Sequence, residues 1–456
     1  MSADSQIFRS TTVSFADVAH QNLIFDRDDP ASQLVLSLID TRWVQRLRNI
    51  RQTGNTHLVY MFAEHSRFGH SLGVAYLATL LMDKLAHYAP NAIHPYRDAV
   101  AAAALLHDIG HVAPGSHIAT HIWAPTTRDS HEQVSVRIIR EDQELVRLLE
   151  ARATGLVEQV SKILTEDRSL PHWTTAIISG GGWNADRGNW AIVDSAMCAV
   201  SYGRYNVNAL IDAFRLTRDG LLVIQENRLD ALTHFYVARD SMYRQVYQHR
   251  VLQAADALND RIVMRVRDLL HEANRTDRLA TLRKLKIFCD PTMEAVLGCE
   301  NYTLELPLEA IFRMTESWWR YHLECWTESL DPTLSDLSTR LLYRNLFKTV
   351  RLEARDAAEK DGRNRTNDDT EALIVRAKQI TEELGFPPRY YFATVENTDR
   401  HRGRLEEIPM VLLDNGSLVP VVDVEPMIAT LLNEPAPRRA WLVVPNEVKE
   451  KLGRSR

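Results

Sequence analysis

Residues 67–111, RFGHSLGVAYLATLLMDKLAHYAPNAIHPYRDAVAAAALLHDIGH, decide the fold. Leu72, Ala75, Leu77, Leu80, Leu81 and Leu85 recur at helical spacing, which predicts a helix with one buried face. DAVAAAALLHDI is apolar on every side, which predicts a central helix buried all round. Such a run ends on His107 and Asp108 only where those groups are paired or ligated, because an unpaired buried charge is very costly. His70 lies on the earlier helix. Asp194 comes much later, in WAIVDSA, where Ile192 and Val193 predict a buried helical position. His70, His107, Asp108 and Asp194 together make a hard donor set for a divalent metal (Fe, Mn, Zn, Ni or Mg), with room left for water. An isolated His–Asp pair is more often a core histidine bonded to a carbonyl. Here the turn HDIGH and the further histidines His111, His117, His121 and His131 favour a metal centre.

Outward from this stretch the chain reads as helix on both sides. IDTRWVQRLRNIRQ is a basic amphipathic segment that Gly54 ends. Pro114 and Gly115 make HVAPGSH a loop, and Ser130 N-caps the helix HEQVSVRIIREDQELVRLLE. SGGGWNADRGN reads as a flexible connector ahead of Asp194. RDGLLVIQE predicts a small hairpin turning at Asp219–Gly220. Residues 228–270 form one long helical stretch, and the polar tract at about 355–370 reads as an exposed linker. RYYFATV, EIPMVLLD, SLVPVVDV and AWLVVP are strand-like, with a hairpin signal at Asn415–Gly416. The expected architecture is mainly α: a helical core domain over residues 1–265, then a C-terminal helical and α/β lobe over 266–456.

Composition narrows the class. The 456 residues are 45% hydrophobic and 25% charged, ordinary values for a soluble globular protein. Cys198, Cys289, Cys299 and Cys325 form no CxxC pair, which argues against a thiolate zinc site and fits a reducing compartment. The N-terminal MSADSQIFRSTT lacks the apolar run of a signal peptide. No stretch approaches the roughly 18 apolar residues that span a bilayer. A cytoplasmic protein with no membrane partner is expected. The net charge of −6 argues against a nucleic-acid partner, although Trp43, Arg46, Arg48 and Arg51 could line a basic groove with aromatics.

Seven segments in order, IDTRWVQRLRNIRQTG, HSRFGHSLGVAYLA, LLHDIGHVAPGSH, SHEQVS, IVDSA, VARDSMYRQVYQHRV and LLYRNLFKTV, resemble the HD-domain deoxynucleoside triphosphate triphosphohydrolases. The resemblance is to the SAM- and HD-domain-containing branch and its bacterial relatives. It spans roughly residues 15 to 350 and makes residues 1–265 an HD phosphohydrolase domain. It implies metal ligation by His70, His107, Asp108 and Asp194, and a catalytic histidine at His131. It implies His111 and His117 beside the phosphates, Arg67 and Arg239 holding them, and Gln52, Tyr247 and His249 lining the nucleotide pocket. The implied reaction is metal-assisted attack of water on the α-phosphorus of a nucleotide, releasing nucleoside and triphosphate. The resemblance also implies a GTP or dGTP activator read by Asp40, Gln45 and Arg48, two helical turns that share one face, and a homodimer or homotetramer.

With Asp194 as the metal ligand, several positions depart from the branch. Ser195 stands where it has a lysine on the terminal phosphates; Cys198 and Tyr202 stand where it has a tyrosine and a sugar-reading aspartate. Thr53 replaces a leucine beside the sugar, and Thr120 replaces an acidic support of the catalytic histidine, a part that Asp129 or Glu132 could take. These departures suggest an unusual nucleotide. Two alternatives stand beside the triphosphohydrolase: a phosphohydrolase acting on monophosphates, cyclic nucleotides or single-stranded nucleic acid, and a nucleotide sensor with little turnover.

Overall fold

The computed structural model describes residues 11–115, 118–125, 130–180, 182–272, 278–298, 303–352, 365–396, 408–433 and 439–454. His117, Asp129, Cys299 and most of the polar tract 355–370 lie outside the described residues, as does the side chain of Thr120.

The chain is mainly helical, as expected, with small sheets at its margins. It opens with a hairpin absent from the sequence-based expectation: β1 (Thr12–Asp17) pairs antiparallel with β2 (Gln21–Asp26). The Asp17 carboxylate accepts the backbone N–H groups of Ala19 and His20, at 2.8 and 2.7 Å, and so shapes the turn. α1 (Pro30–Ile39) starts at Asp29, whose side chain accepts the Ser32 N–H, with Pro30 in the first turn. α2 (Arg42–Arg46) follows after a break at Asp40–Thr41.

α3 (Arg67–Ala86) and α4 (Arg97–Leu106) form the centre. They pack on each other, and every residue of α4 from Ala99 to Leu106 is buried. α5 (His131–Glu141) begins at Ser130 with a full capping box: Ser130 Oγ accepts the Gln133 N–H, and Gln133 Oε1 accepts the Ser130 N–H. α6 (Ala185–Met197) lies along α3. Its first turn is NADRGN, the stretch expected to be a connector. Asn184 caps it, its side chain accepting the Arg187 N–H at 2.8 Å, and Trp183 packs where a Cβ on Gly188 would stand. The Gly- and Asn-rich composition there is helix-start chemistry, and the expectation of a loop is corrected.

β3 (Phe214–Leu216) and β4 (Leu222–Gln225) form the expected hairpin, with Gly220 at φ 83. α7 (Leu229–Met242) leads through a single π turn, Tyr243–Tyr247, into α8 (Arg250–Glu272), so the expected single long helix is two. α9 (Glu316–Thr327) turns Trp319, His322, Leu323 and Trp326 inward, which makes its aromatic run core. β5 (Lys348–Leu352), β6 (Ala393–Glu396), β7 (Met410–Leu412), β8 (Leu418–Pro420) and β9 (Ala440–Val444) complete the strands. Gly416 sits at φ 84 in the expected β7–β8 turn, and residues 365–370 belong to a helix rather than a linker.

The expected boundary at 265/266 falls inside α8. Arg265 there binds Asp331 Oδ2 at 2.6 Å and Tyr390 Oη at 3.0 Å. β4 pairs in parallel with β7, so a strand pair from the C-terminal part completes a sheet begun in the first half. One core runs from Leu23 to Val443. The two halves share side chains and strands, and a cut at 265 would expose both.

Arg46 ties the central loop in place. Its buried guanidinium donates to the carbonyls of Ile109, His111, Ile311, Phe312 and Met314 at 2.8–3.3 Å. Burial lowers its pKa to about 9. Trp43 is buried too and donates to Asp142 at 2.9 Å. Neither is available to a nucleic acid, which removes two of the four side chains of the groove considered above.

Asp256 on α8 receives one hydrogen bond, from Asn55 at 2.8 Å, and burial raises its pKa from 3.8 to about 6. Because the folded-state value is the higher one, this group favours the fold below pH ~4 and the benefit is lost as pH rises through 6. D256N keeps an acceptor for Asn55 without a charge. Its melting temperature should exceed that of the parent by on the order of 2 °C at pH 7.5 and match it at pH 4.5. Equal differences at the two pH values, read by thermal denaturation, would overturn this account.

Candidate metal centre and active site

α3, the end of α4, the start of α5 and the first turn of α6 converge on Asp108. Its carboxylate meets Arg67 Nη1 at 2.6 Å, His111 Nε2 at 3.3 Å, His107 Nε2 at 3.4 Å, His70 Nε2 at 3.6 Å and His131 Nε2 at 3.9 Å. Burial pushes this carboxyl upward, but the charges of His107, Arg67 and His111 outweigh it and hold Asp108 well below the ordinary range. His111 is driven well below its ordinary value by burial, with Arg67 and His131 adding to the effect. His111 and His131 stack with ring centres 4.0 Å apart.

Two donor groups lie side by side. His70, His107 and Asp186 offer ligand atoms within 4.8 Å of one another, and so do Asp108, His111 and His131. Both histidines of the first group are turned the same way. His107 Nδ1 donates to the Ala104 carbonyl and His70 Nδ1 to Asn189 Oδ1, each at 2.9 Å, which leaves both Nε2 atoms facing inward. His107 Nε2 is buried and has no hydrogen-bond partner among the described residues. His70 Nε2 lies 3.0 Å from Asp186. Burial lowers the pKa of His70, but Asp186 and Asp108 more than reverse this and the net shift is upward. Two imidazole nitrogens, two carboxylates and an orphaned inward lone pair fit a divalent cation.

Asp194 is not in this group, and its expected place among the ligands is corrected. One carboxylate oxygen meets His65 Nε2 at 2.8 Å and the other accepts the Tyr247 hydroxyl. Asp186 stands eight residues earlier on α6, about 12 Å along a helix that rises ~1.5 Å per residue, so the two cannot serve one ion. Asp186 was missed because its segment was read as connector; the available signal was an Asn cap followed by a first-turn acid. His65, Asn189 and Arg187 were missed with it.

The other expected residues fall as follows. Gln52 lies beside the site: its N–H donates to the His65 carbonyl at 3.0 Å, its carbonyl accepts from Arg67, and its Oε1 is buried without a partner among the described residues. Arg239 stacks on Tyr243, 5.3 Å from the ring centre; burial lowers its pKa, and the nearby charge of Arg187 adds to this. Tyr247, pushed far up by burial and by Asp194, stays a phenol. His249 sits at the head of α8, where its Nδ1 accepts the Val251 N–H at 3.3 Å. His131 Nε2 is 3.2 Å from Glu132, one of the two acids considered as its support. Ser195, Cys198 and Tyr202 leave the site with the change of ligand. Ser195 Oγ is bonded to the backbone of Val200 and Gly203, Cys198 is buried, and Tyr202 is exposed. Asp40, Gln45 and Arg48 do not share a helix face: Asp40 caps α1, while Gln45 accepts from Arg48 Nε at 2.9 Å beyond the break.

A helical core that brings His70 and a His107–Asp108 pair to one buried centre is the HD-domain class, and residues 67–176 match the HD domain family. The chain thus carries an HD domain and is similar in sequence to deoxynucleoside triphosphate triphosphohydrolases. It is 29% identical over 393 residues to the uncharacterized protein YwfO of Bacillus subtilis, covering 85% of this chain and 82% of that one. It is 27% identical over 353 residues to human deoxynucleoside triphosphate triphosphohydrolase SAMHD1, covering 70% of this chain and 52% of that one. The chain therefore spans about half the length of the human relative. The fold is shared with a crystal structure of a phosphohydrolase from Bacteroides thetaiotaomicron, at TM-score 0.74 and 21% identity, covering 95% of this chain and 99% of that one. No helix among the described residues is long and apolar enough to cross a membrane.

Asp186→Ala and Asp194→Ala separate the two ligand sets. Dialysis against Mn²⁺ followed by metal analysis should show affinity falling about tenfold or more in D186A and staying within about threefold in D194A. The reverse order would restore Asp194 as the ligand.

Proposed function

We propose that the protein is a metal-dependent nucleotide triphosphohydrolase, cleaving a (deoxy)nucleoside triphosphate at the α-phosphorus to give nucleoside and triphosphate. One observation carries this reading: Asp186 stands with His70 and His107. Counted from Asp186, the residues one, four and eight positions on are Arg187, Trp190 and Asp194. The related branch has a phosphate-binding lysine, a tyrosine and a sugar-reading aspartate at those offsets. The cation, an aromatic and the carboxylate are thus all present, eight residues before the positions that follow from Asp194 as ligand. The apparent losses at Ser195, Cys198 and Tyr202 disappear, and with them most of the case for an unusual nucleotide.

His70, His107, Asp108 and Asp186 would hold the cation. Bound there, it supplies Lewis acidity and a water of lowered pKa. Arg67, braced by Asp108 at 2.6 Å, presents a fixed positive charge beside the centre. Arg187 and Arg239 lie close enough for their charges to oppose one another, so an anion between them relieves that repulsion. These two receive the polyphosphate. His131 at the start of α5, next to Glu132, is the proton donor to the leaving oxygen. Asp194, already oriented by His65 and Tyr247, accepts a hydroxyl of the sugar.

Product analysis decides. With Mn²⁺, a panel of dNTPs, NTPs, monophosphates and cyclic nucleotides separated by anion-exchange chromatography should yield inorganic triphosphate from the triphosphates. His107→Ala should lower that rate by about a thousandfold, and Arg239→Ala should raise KM more than it lowers kcat. Orthophosphate or pyrophosphate as the product, or turnover confined to monophosphates or cyclic nucleotides, would overturn the assignment. Tight nucleotide binding without turnover would replace it with a sensor.

A further inference from the structure

A chain of hydrogen bonds runs from the metal centre to the β1–β2 turn, and it has a direction. His70 Nδ1 is 2.9 Å from Asn189 Oδ1, and Asn189 Nδ2 is 3.2 Å from His20 Nε2. Asn189 is fully buried. It lies so close to α3 that a Cβ on Gly73 would stand 2.0 Å from Asn189 Nδ2. The amide therefore fills a slot between α3 and α6 that only glycine leaves open, one turn beyond His70.

An amide oxygen only accepts and an amide nitrogen only donates. With the oxygen toward His70, Nδ1 of that ring must carry a proton, and Nε2, 3.0 Å from Asp186, is the nitrogen left for a cation. With the nitrogen toward His20, Nε2 of His20 must accept. His20 can do so only as a neutral imidazole. Burial lowers its pKa, outweighing the opposing effect of Asp17. The ring is otherwise faced by Tyr76 of α3, with ring centres 5.9 Å apart. Without an acceptor at position 20 the amide is free to turn over. Its nitrogen would then face His70 Nδ1, which would have to accept. The ring proton would shift to Nε2, the atom the cation needs.

We propose that His20 and Asn189 form a directional relay that holds His70 in its Nδ1–H tautomer, so that the β1–β2 turn sets the cation affinity of the centre. His20 is a positioning residue, two hydrogen bonds from the ligand it serves. The proposal rests on the metal reading above, and it adds a part of the chain, residues 17–21, that no other step of the mechanism uses.

Two pairs of variants of the full chain test it. H20Q keeps a strong acceptor and H20M offers only a weakly accepting thioether sulfur, while both are uncharged and of similar length. N189D accepts from both rings and N189L from neither. Mn²⁺ affinity is measured by equilibrium dialysis, and melting temperature by thermal denaturation in chelator. H20Q should stay within about threefold of the parent and H20M should weaken about tenfold, with matching melting temperatures. N189D should bind at least as tightly as the parent and N189L at least about tenfold more weakly. Equal affinities within the His20 pair overturn the relay, because a packing role treats Gln and Met alike. If H20M fails to fold, the Asn189 pair decides, and equal losses in N189D and N189L overturn it. A parent chain that takes up no Mn²⁺ defeats the metal reading itself and the relay with it; a parent that binds while the pairs do not diverge defeats the relay alone.

Discussion

The buried carboxylate of Asp108 is the constraint around which the rest is arranged. A lone charge at the end of a buried apolar helix would be prohibitively costly, so the fold must bring it polar partners. α3 contributes Arg67 and His70, α4 ends in His107, the following turn supplies His111, and α5 opens with His131. The loop that carries Asp108 is held from beneath: Ser135 Oγ donates to the His107 carbonyl and accepts the Gly110 N–H. A Cβ on Gly110 would stand 2.2 Å from the His131 carbonyl, so glycine is what lets α5 approach. Arg46 gathers the loop's outer carbonyls.

Glu316 shows the same economy on the far side of the loop. It accepts the N–H of Gly115 and lies 3.8 Å from Arg51 Nη1; burial raises its pKa against the pull of Arg51. The HDIGH loop is thus clasped between α2 and the segment leading into α9, elements more than 250 residues apart in sequence. The C-terminal part of the chain thus contributes contacts to the loop, and the main hydrophobic core spans both parts of the chain.

Much of this was legible in sequence. Several residues that act through local chemistry are legible: Ser130 as a cap, Gly220 and Gly416 as turn glycines, and α4 as a helix buried all round. His70, His107 and Asp108 could be read because an apolar run with a polar end has few outcomes. Asp186 could not be read in the same way. Its neighbours, Gly182, Asn184 and Gly188, have loop composition, which masks their local roles as lead-in, cap and clearance for Trp183. Asp194 follows the apolar Ile192 and Val193, and it is indeed buried. Burial alone does not say which partner a carboxylate has, and here the partners are His65 and Tyr247. The β1–β2 hairpin, by contrast, was legible: Thr12 to Phe15 alternate polar and apolar, as the exposed and half-buried positions alternate along β1.

α6 explains the misplaced ligand and bears on the function proposed above. An α-helix turns ~100° and rises ~1.5 Å per residue, so Asp186, Trp190 and Asp194 at spacings of four lie near one face along about 12 Å. A donor at the start of such a face and a hydroxyl acceptor at its far end measure out an elongated ligand rather than a compact one. Arg187 and Arg239 stand beside the first turn, and Trp190 packs edge-on against Tyr247, 5.5 Å between ring centres, next to the last. A phosphomonoester would engage only one end of this rule. A nucleoside triphosphate has charge at one end and a sugar at the other, and it would use the whole length. The same helix carries Asn189 between these two ends, against the back of His70. Any ligand or subunit that shifts α6 along α3 would therefore move the cation site and the sugar site together. Substrate choice and metal retention would then vary as one property of a single helix.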